Sequence, residues 1–368
     1  MTSDVFFADI NKPQKVSLLK KLELLIEKAN FSEFIEKGDL VAVKVHFGER
    51  GNTGFVSPIF IRRIVEKIKL AGGKPFLTDT STLYVGSRAN AVEHLTTAIE
   101  NGFTYATVGA PLVIADGLNG KDYVSVEVEG RHFREMKIGS ALYHADSLIV
   151  VSHVKGHEMT GFGGALKNVG MGGACRGSKQ MIHSDVLPTV NSKICTGCGK
   201  CLKWCPTEAV SLVDKVAFID ESLCLGCGEC AVTCPFQAIA INWKTEPNII
   251  QEKIVEYVRA VLKDKKGKVG FINFLTNVTP DCDCWGWSDL AIVPDIGILA
   301  SKDPIAIDQA SVNLINRATG IESSRLRKAT SRDKFRSLFP LVDWNVQLKY
   351  GEEIGLGKRR YNLVEVSE

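Results

Sequence analysis

Apolar and polar positions alternate with two different periods along this chain, and the changes of period mark its elements. In KVSLLKKLELLIEKA the leucines recur at helical spacing, so the stretch from Lys12 to Phe47 reads as a helix, a break at Gly38, and a strand at LVAVKVHF. SPIFIRRIVEKIKLAGG predicts a helix closed by glycines, KPFLTDT a strand, residues 90–101 a further helix, and SLIVVSHV a buried strand. Beyond residue 245, IIQEKIVEYVRAVLKDKKG predicts an amphipathic helix ended by Gly267, KVGFINFL a strand, and DLAIVPDIGILA a strand pair or a strand and loop. DPIAIDQASVNLINRATG predicts a helix starting near Asp303 and Pro304. Strands alternating with helices imply an α/β fold with a largely parallel sheet and flanking helices.

The alternation stops near Pro188 and resumes near Glu246. The expected organisation is a host domain at 1–187 and 246–368, interrupted at 188–245 by a small α+β ferredoxin-like insert. That segment contains an internal repeat: KICTGCGKCLKWCPTEAV and SLCLGCGECAVTCPFQAI align cysteine for cysteine. Each copy reads CxxCxxCxxxCP, the run in which three cysteines of a tight loop hold one iron–sulfur cubane and the fourth holds its neighbour. The expected ligands are Cys195, Cys198, Cys201 and Cys234 for one [4Fe-4S] cluster, and Cys224, Cys227, Cys230 and Cys205 for the other. Paired zinc knuckles also use four cysteines, but not this duplicated spacing with its Cys-Pro ending. Two fully ligated clusters transfer electrons, so the insert reads as a wire.

Whatever the wire serves should lie near it. The neighbouring stretch HVKGHEMTGFGGALKNVGMGGACRGSKQMIH, His153 to His183, follows a predicted strand, and in open α/β sheets ligands bind outside the carboxyl ends of strands. It is expected to be a glycine-rich binding loop, with Lys155, Gly163, Gly164 and Arg176 contacting an anionic small molecule and His157, Lys167 and Cys175 among the reacting groups. His153 reads equally as a core-edge histidine bonded to backbone. GFGGAL lacks the sixth-position glycine of a dinucleotide fingerprint, and GGACRGSK reverses the lysine and serine of a P-loop. Period two places Lys44 and His46 on one face of the first host strand, making His46 a second candidate proton donor. Cys282 and Cys284 form a CxC pair that, with Cys175, suggests a three-thiolate metal or redox site, or alternatively a set of buried thiols. Trp285 and Trp287 read as packing residues, and Asp303 as a helix cap.

Charge and composition narrow the classes. Lys+Arg 45 against Asp+Glu 42 gives +3, with no basic run, so no nucleic acid or anionic membrane partner is expected. The amino terminus carries no signal-peptide pattern and no stretch reaches the length of a membrane span. With eight of eleven cysteines in metal-ligand spacing, a reducing, cytoplasmic location and a soluble redox partner are expected.

VKVHFGERGN, TDTSTLYVGSRANA, the glycine-rich block, the double cysteine motif and IVPDIGILASKDPIAIDQAS together resemble the family catalogued as domain of unknown function 362, in its ferredoxin-carrying form. The resemblance runs from about Lys37 to Asn362. It implies an interrupted α/β domain and two [4Fe-4S] clusters, and it supplies no substrate. An iron–sulfur oxidoreductase, an electron carrier or complex subunit, and a redox-controlled metal-handling protein are the three functions the sequence leaves in play.

Overall fold

The computed structural model describes residues 2–11, 16–84, 86–183, 187–205, 207–224, 228–240, 246–265, 267–326 and 328–366. Its centre is an eight-stranded sheet built from β1 (Ser3–Asp9), β2 (Leu40–Val45), β3 (Lys74–Asp79), β4 (Leu112–Ile114), β5 (Ser147–His153), β6 (Val269–Leu275), β7 (Gly297–Ser301) and β8 (Tyr361–Glu365), in the order β8-β1-β7-β6-β5-β2-β3-β4. Every strand runs in the same direction except β7, which is antiparallel to both of its neighbours.

Both faces of this sheet are covered, which explains why its central strands are continuous apolar runs. Leu148, Val150, Phe271 and Leu299 face one core together with α4 (Ala165–Gly173), α6 (Pro247–Leu262) and α7 (Pro304–Arg317). Ile149, Val151, Ile272 and Ile298 face the other, against α1 (Leu18–Lys28), α2 (Pro58–Leu70) and α3 (Ala91–Glu100). Ser17 caps α1 by accepting from Lys20 N–H, and Asp303 caps α7 by accepting from Ile305 and Ala306 N–H at 2.8 and 2.9 Å.

The chain runs outward through β2, β3 and β4, then returns to lay β5 against the other side of β2 before proceeding to β6. The sheet therefore changes direction between β2 and β5, and at such a switch point the loops leaving the carboxyl ends diverge and open a crevice.

The predicted helices and central strands are present, and the DLAIVPDIGILA segment takes the strand-and-loop form, its strand being Gly297–Ser301. Two expectations change. The outer strands β1, β4 and β8 and the hairpin Tyr123–Glu127 with Glu135–Gly139 were not anticipated. The glycine-rich block is mostly helical: after a short hairpin, Lys155–His157 with Gly161–Gly163, it forms α4 and α5 (Arg176–His183). Its glycines serve helix packing. A Cβ at Gly170 would lie 2.2 Å from the carbonyl oxygen of Ile254 on α6, so glycine alone lets α4 and α6 approach this closely.

Between the two host segments, Thr189–Val190 pairs with Ile239–Ala240, so the chain leaves and returns at one place. Val210–Val213 and Val216–Ile219 form a second hairpin, and Cys201, Val210, Ala217, Ile219, Cys230 and Ile239 make a small apolar cluster of their own. Cys227 and residues 241–245, where the second boundary was expected, lie outside the described residues.

The Gly170→Ala variant should lose about 1–3 kcal/mol through overpacking at the α4–α6 contact, seen as a lower thermal unfolding midpoint. An unchanged midpoint would show that the helices separate without cost.

Candidate active site

The carboxyl ends of the adjacent strands β3, β2, β5 and β6 meet at a cavity of about 470 Å³. Lys44 and His46 enter from the end of β2, Asp79 from β3, Lys155 and His157 from the segment after β5, and Cys282 and Cys284 from the loop after β6. Helix α4 adds Lys167 and Asn168, and α5 adds Lys179 and His183. Leu83, Tyr84, Met159, Met171 and Trp285 supply apolar and aromatic wall.

Burying this many cations requires local compensation. Lys44 Nζ lies 2.9 Å from Asp79 Oδ1 and donates to Asn168 Oδ1 at 2.8 Å. Arg88, wholly buried, pairs through Nε with Glu49 Oε2 at 3.2 Å and lies 3.5 Å from Asp79 Oδ2. Burial pushes the Asp79 carboxyl up, but Lys44, His94, Arg88 and Lys179 outweigh it and bring it down to about 2. Lys155 Nζ sits 3.2 Å from Asp283 Oδ2 and donates to the His153 carbonyl at 3.0 Å. Lys179 donates to the Thr80 hydroxyl and to the Ser81 carbonyl, and burial pulls its ammonium down to about 8.

Lys167 is compensated differently. Among the described residues its hydrogen-bond acceptor is Cys282 Sγ, at 3.4 Å. A hydrogen bond from the Cys284 thiol, followed by the charges of Lys167 and Lys155, holds Cys282 well below the ordinary thiol range against burial, while Cys284 is held above it. Burial, reinforced by the surrounding cations, keeps His46 and His157 well below the usual histidine range, and brings His183 to about 3. His46 Nδ1 accepts from Gly48 N–H at 3.0 Å and His157 Nδ1 from Met159 N–H at 3.2 Å, so in the neutral rings the proton is on Nε2.

The structure separates the sequence candidates. His46, Lys155, His157, Gly164, Lys167, Cys282 and Cys284 share the cavity. Cys175 and Arg176 do not. The Cys175 thiol packs on Ser178 Oγ at 3.5 Å, where burial raises its pKa, and Arg176 turns toward Gly120, Asp116 and Glu229. Among the described residues, the group that gathers with Cys282 and Cys284 is His157, whose nitrogen and the two sulfurs lie within 4.8 Å of one another. The expected Cys175–Cys282–Cys284 set is replaced by this one because residues adjacent to a strand end in space need not be adjacent in sequence.

Gly163 lies in the hairpin rather than on the cavity, and the glycine at 164 admits a protein carboxylate instead of a ligand. A Cβ there would be 2.3 Å from Asp308 Oδ1. Asp308 accepts from Ala165 and Leu166 N–H at 2.7 and 2.9 Å and from Asn273 Nδ2 at 2.8 Å, which fills the amino end of α4 expected to receive an anion. His153 resolves as an anchor: Nδ1 meets Asp283 Oδ1 at 2.9 Å and Nε2 meets the Asn277 carbonyl at 2.9 Å, fixing the residue between the two cysteines of the CxC pair. Trp285 and Trp287 stack on each other with centroids 4.8 Å apart and stay partly exposed, and Trp285 reaches the cavity. Arg88 and Tyr84 carried no sequence signal, since a solitary arginine in a loop is ordinarily solvated.

In the cysteine-rich segment, Cys195, Cys198, Cys201 and Cys234 line one cavity. Ala217 N–H donates to Cys195 Sγ at 3.4 Å and Ala238 N–H to Cys234 Sγ at 3.3 Å, an arrangement suited to thiolate sulfur. Of the other array Cys205, Cys224 and Cys230 are described, and Cys227 is not. Helix α5 connects the two regions: Lys179 and His183 face the large cavity, while Gln180 lies against Gly228, two residues before Cys230.

The family model described as domain of unknown function (DUF362) matches residues 41–313. No curated protein matches the chain. Among solved structures, the lactate racemase apoprotein from Thermoanaerobacterium thermosaccharolyticum is similar over 74% of this chain and 51% of its own, at 13% identity and a TM-score of 0.39. A protein from Thermotoga maritima is similar over 70% and 49%, at 12% identity and a TM-score of 0.33. The chain spans about half the length of these two structures. Among the described residues no helix is long and apolar enough to cross a membrane.

Replacing Asp308 by Ala leaves the buried Ala165 and Leu166 N–H groups without an acceptor and should cost about 2–5 kcal/mol. Asp308→Asn, which keeps a carbonyl oxygen, should cost less. Equal unfolding midpoints for the two variants would show that the carboxylate does not close α4.

Proposed function

The chain belongs to the family catalogued as domain of unknown function DUF362, and on that premise we propose that it is an iron–sulfur oxidoreductase acting on an anionic organic molecule held in the large cavity. The observation that carries this reading is the placement of α5. One helix presents Lys179 and His183 to the cationic cavity and Gln180 to the backbone beside a cysteine array. A helix with its side chains is about 10–12 Å across, so this reading calls for electron transfer over a distance of that order.

Cys195, Cys198, Cys201 and Cys234 would hold one [4Fe-4S] cluster, and Cys205, Cys224, Cys227 and Cys230 the other. When bound, such a pair supplies one-electron transfer. The remaining work falls to the cavity. Lys155, Lys167, Lys179 and Arg88 favour a carboxylate or phosphate, and the Met159, Met171 and Trp285 side chains favour an apolar body attached to it. Neutral His46, with its proton on Nε2, is the group suited to deliver a proton to a reduced product. A soluble electron donor is the partner this reading requires.

Two expected outcomes test it. The anaerobically reconstituted full chain should contain about eight irons and about eight acid-labile sulfides, falling toward about four of each in a Cys198→Ser variant; zinc without sulfide would contradict the cluster assignment. In calorimetric titrations 2-naphthoate should bind and the uncharged 2-naphthalenemethanol should not. Lys179 is an ammonium below about pH 8 and an amine above it, so naphthoate affinity should fall as pH rises through about 8. Lys179→Met should remove that step and weaken binding about tenfold at pH 7. Equal binding of both probes at all pH values would contradict an anion site.

A further inference from the structure

The CxC loop is built to hold two sulfurs toward one point. The side chain of Asp283, between them, is held by His153 and Lys155, and the loop backbone is tied to the segment after β2: Glu49 N–H donates to the Asp283 carbonyl at 3.0 Å, and Asn52 Nδ2 to the Trp285 and Trp287 carbonyls at 3.1 and 2.8 Å. Cys282 and Cys284 both line the cavity, beside His157.

We propose that His157, Cys282 and Cys284 are the protein ligands of a mononuclear transition-metal site, with zinc the ion their donors suit and a fourth position opening on the cavity. The site goes beyond the electron-transfer reading and does not depend on it. Two sulfurs and one imidazole nitrogen match the three-ligand sets of catalytic zinc, whose remaining position is left to water or substrate. The spacing is compatible: the three donor atoms already lie within 4.8 Å of one another, and a tetrahedral zinc with Zn–S near 2.3 Å needs sulfurs about 3.8 Å apart. His157 and Cys282 are buried and Cys284 half-buried, so the ligands are shielded while the cavity keeps one side open.

The surroundings also fit. Lys167 donates toward Cys282 Sγ, and an N–H donor on a bound thiolate is a common outer partner of thiolate metal sites. Once two thiolates neutralise a divalent ion, the Lys167 charge is left to attract an anionic group to the fourth position. Binding releases the Cys284 thiol proton to solvent and changes the setting of His157: its Nδ1 now accepts from Met159 N–H, and Nε2 lies 4.0 Å from Glu158 Oε2, so coordination exchanges one of these contacts or moves the ring proton.

The test uses the full chain with its iron loaded, incubated with one equivalent of zinc chloride and desalted, with zinc and iron counted together and the zinc edge examined by X-ray absorption. The expected result is one retained zinc coordinated by two sulfurs near 2.3 Å and one nitrogen near 2.0–2.1 Å plus a light atom. In a Cys282→Ser, Cys284→Ser double variant zinc retention should fall at least tenfold with iron unchanged. Retention equal to that of the variant, a four-sulfur zinc shell, or a Cys282–Cys284 disulfide found by mass spectrometry in the anaerobically purified chain would overturn the proposal. The absorption spectrum of the unmutated chain decides the matter even if the variant fails to fold. Failure of iron loading, by contrast, would count against the oxidoreductase reading alone.

Discussion

Buried positive charge is the constraint around which this molecule is arranged. Lys44, Arg88, Lys155, Lys167 and Lys179 all reach one cavity inside an α/β domain, and an ammonium group withdrawn from water without compensation costs several kcal/mol. Each cation has its own answer. Asp79 serves Lys44 and Arg88, Glu49 serves Arg88, Asp283 serves Lys155, and backbone and hydroxyl oxygens serve Lys179. For Lys167 the acceptor is the Cys282 sulfur, whose proton affinity the lysine lowers, and this contact ties the CxC loop to α4.

That arrangement depends on the order of strands. Parallel β3, β2, β5 and β6 bring four loop regions from distant parts of the chain to one end of the sheet, and the reversal between β2 and β5 keeps them from closing over it. Close packing of α4 on α6 then sets how deep Lys167 and Asn168 sit. Helix α5, following directly, has the cavity on one side and the cysteine-rich segment on the other, so a chemical event in one is within electrostatic reach of the other.

The sequence disclosed the sheet where both of its faces are covered. SLIVVSH and VGFINFL are apolar at every period because cores on opposite sides claim alternate residues. It did not disclose β8, half-exposed at the sheet edge, or the three-residue β4, which have too little periodic signal to stand out. The block from Gly161 to Lys179 reads as a loop because glycine is a poor helix former; tertiary packing overrides propensity, since Gly170 is needed where two helices nearly touch. The cavity was legible as a place, after β5 and beside β2, and His46, His157, Lys155 and Lys167 were legible as members. Cys175 was misplaced because it is near in sequence to the lysines it was grouped with, while its thiol turns into the core beside Ser178. Arg88 was invisible because only the folded structure supplies Glu49 and Asp79 to balance it.

If α5 joins an electron-transfer segment to an anion-binding cavity, the two must sense each other's charge. An added negative charge about 12 Å from a redox centre, at an effective dielectric constant near 20, is worth about 1.4 kcal/mol, or about 60 mV for one electron. The direct test is a potentiometric titration of the reconstituted chain, followed by electron paramagnetic resonance, with and without saturating 2-naphthoate. One midpoint potential should move negative by tens of millivolts on binding, and in Lys179→Met the shift should appear only at about tenfold higher naphthoate concentration. Two midpoints that stay fixed while the cavity is saturated would contradict the coupling on which this account rests.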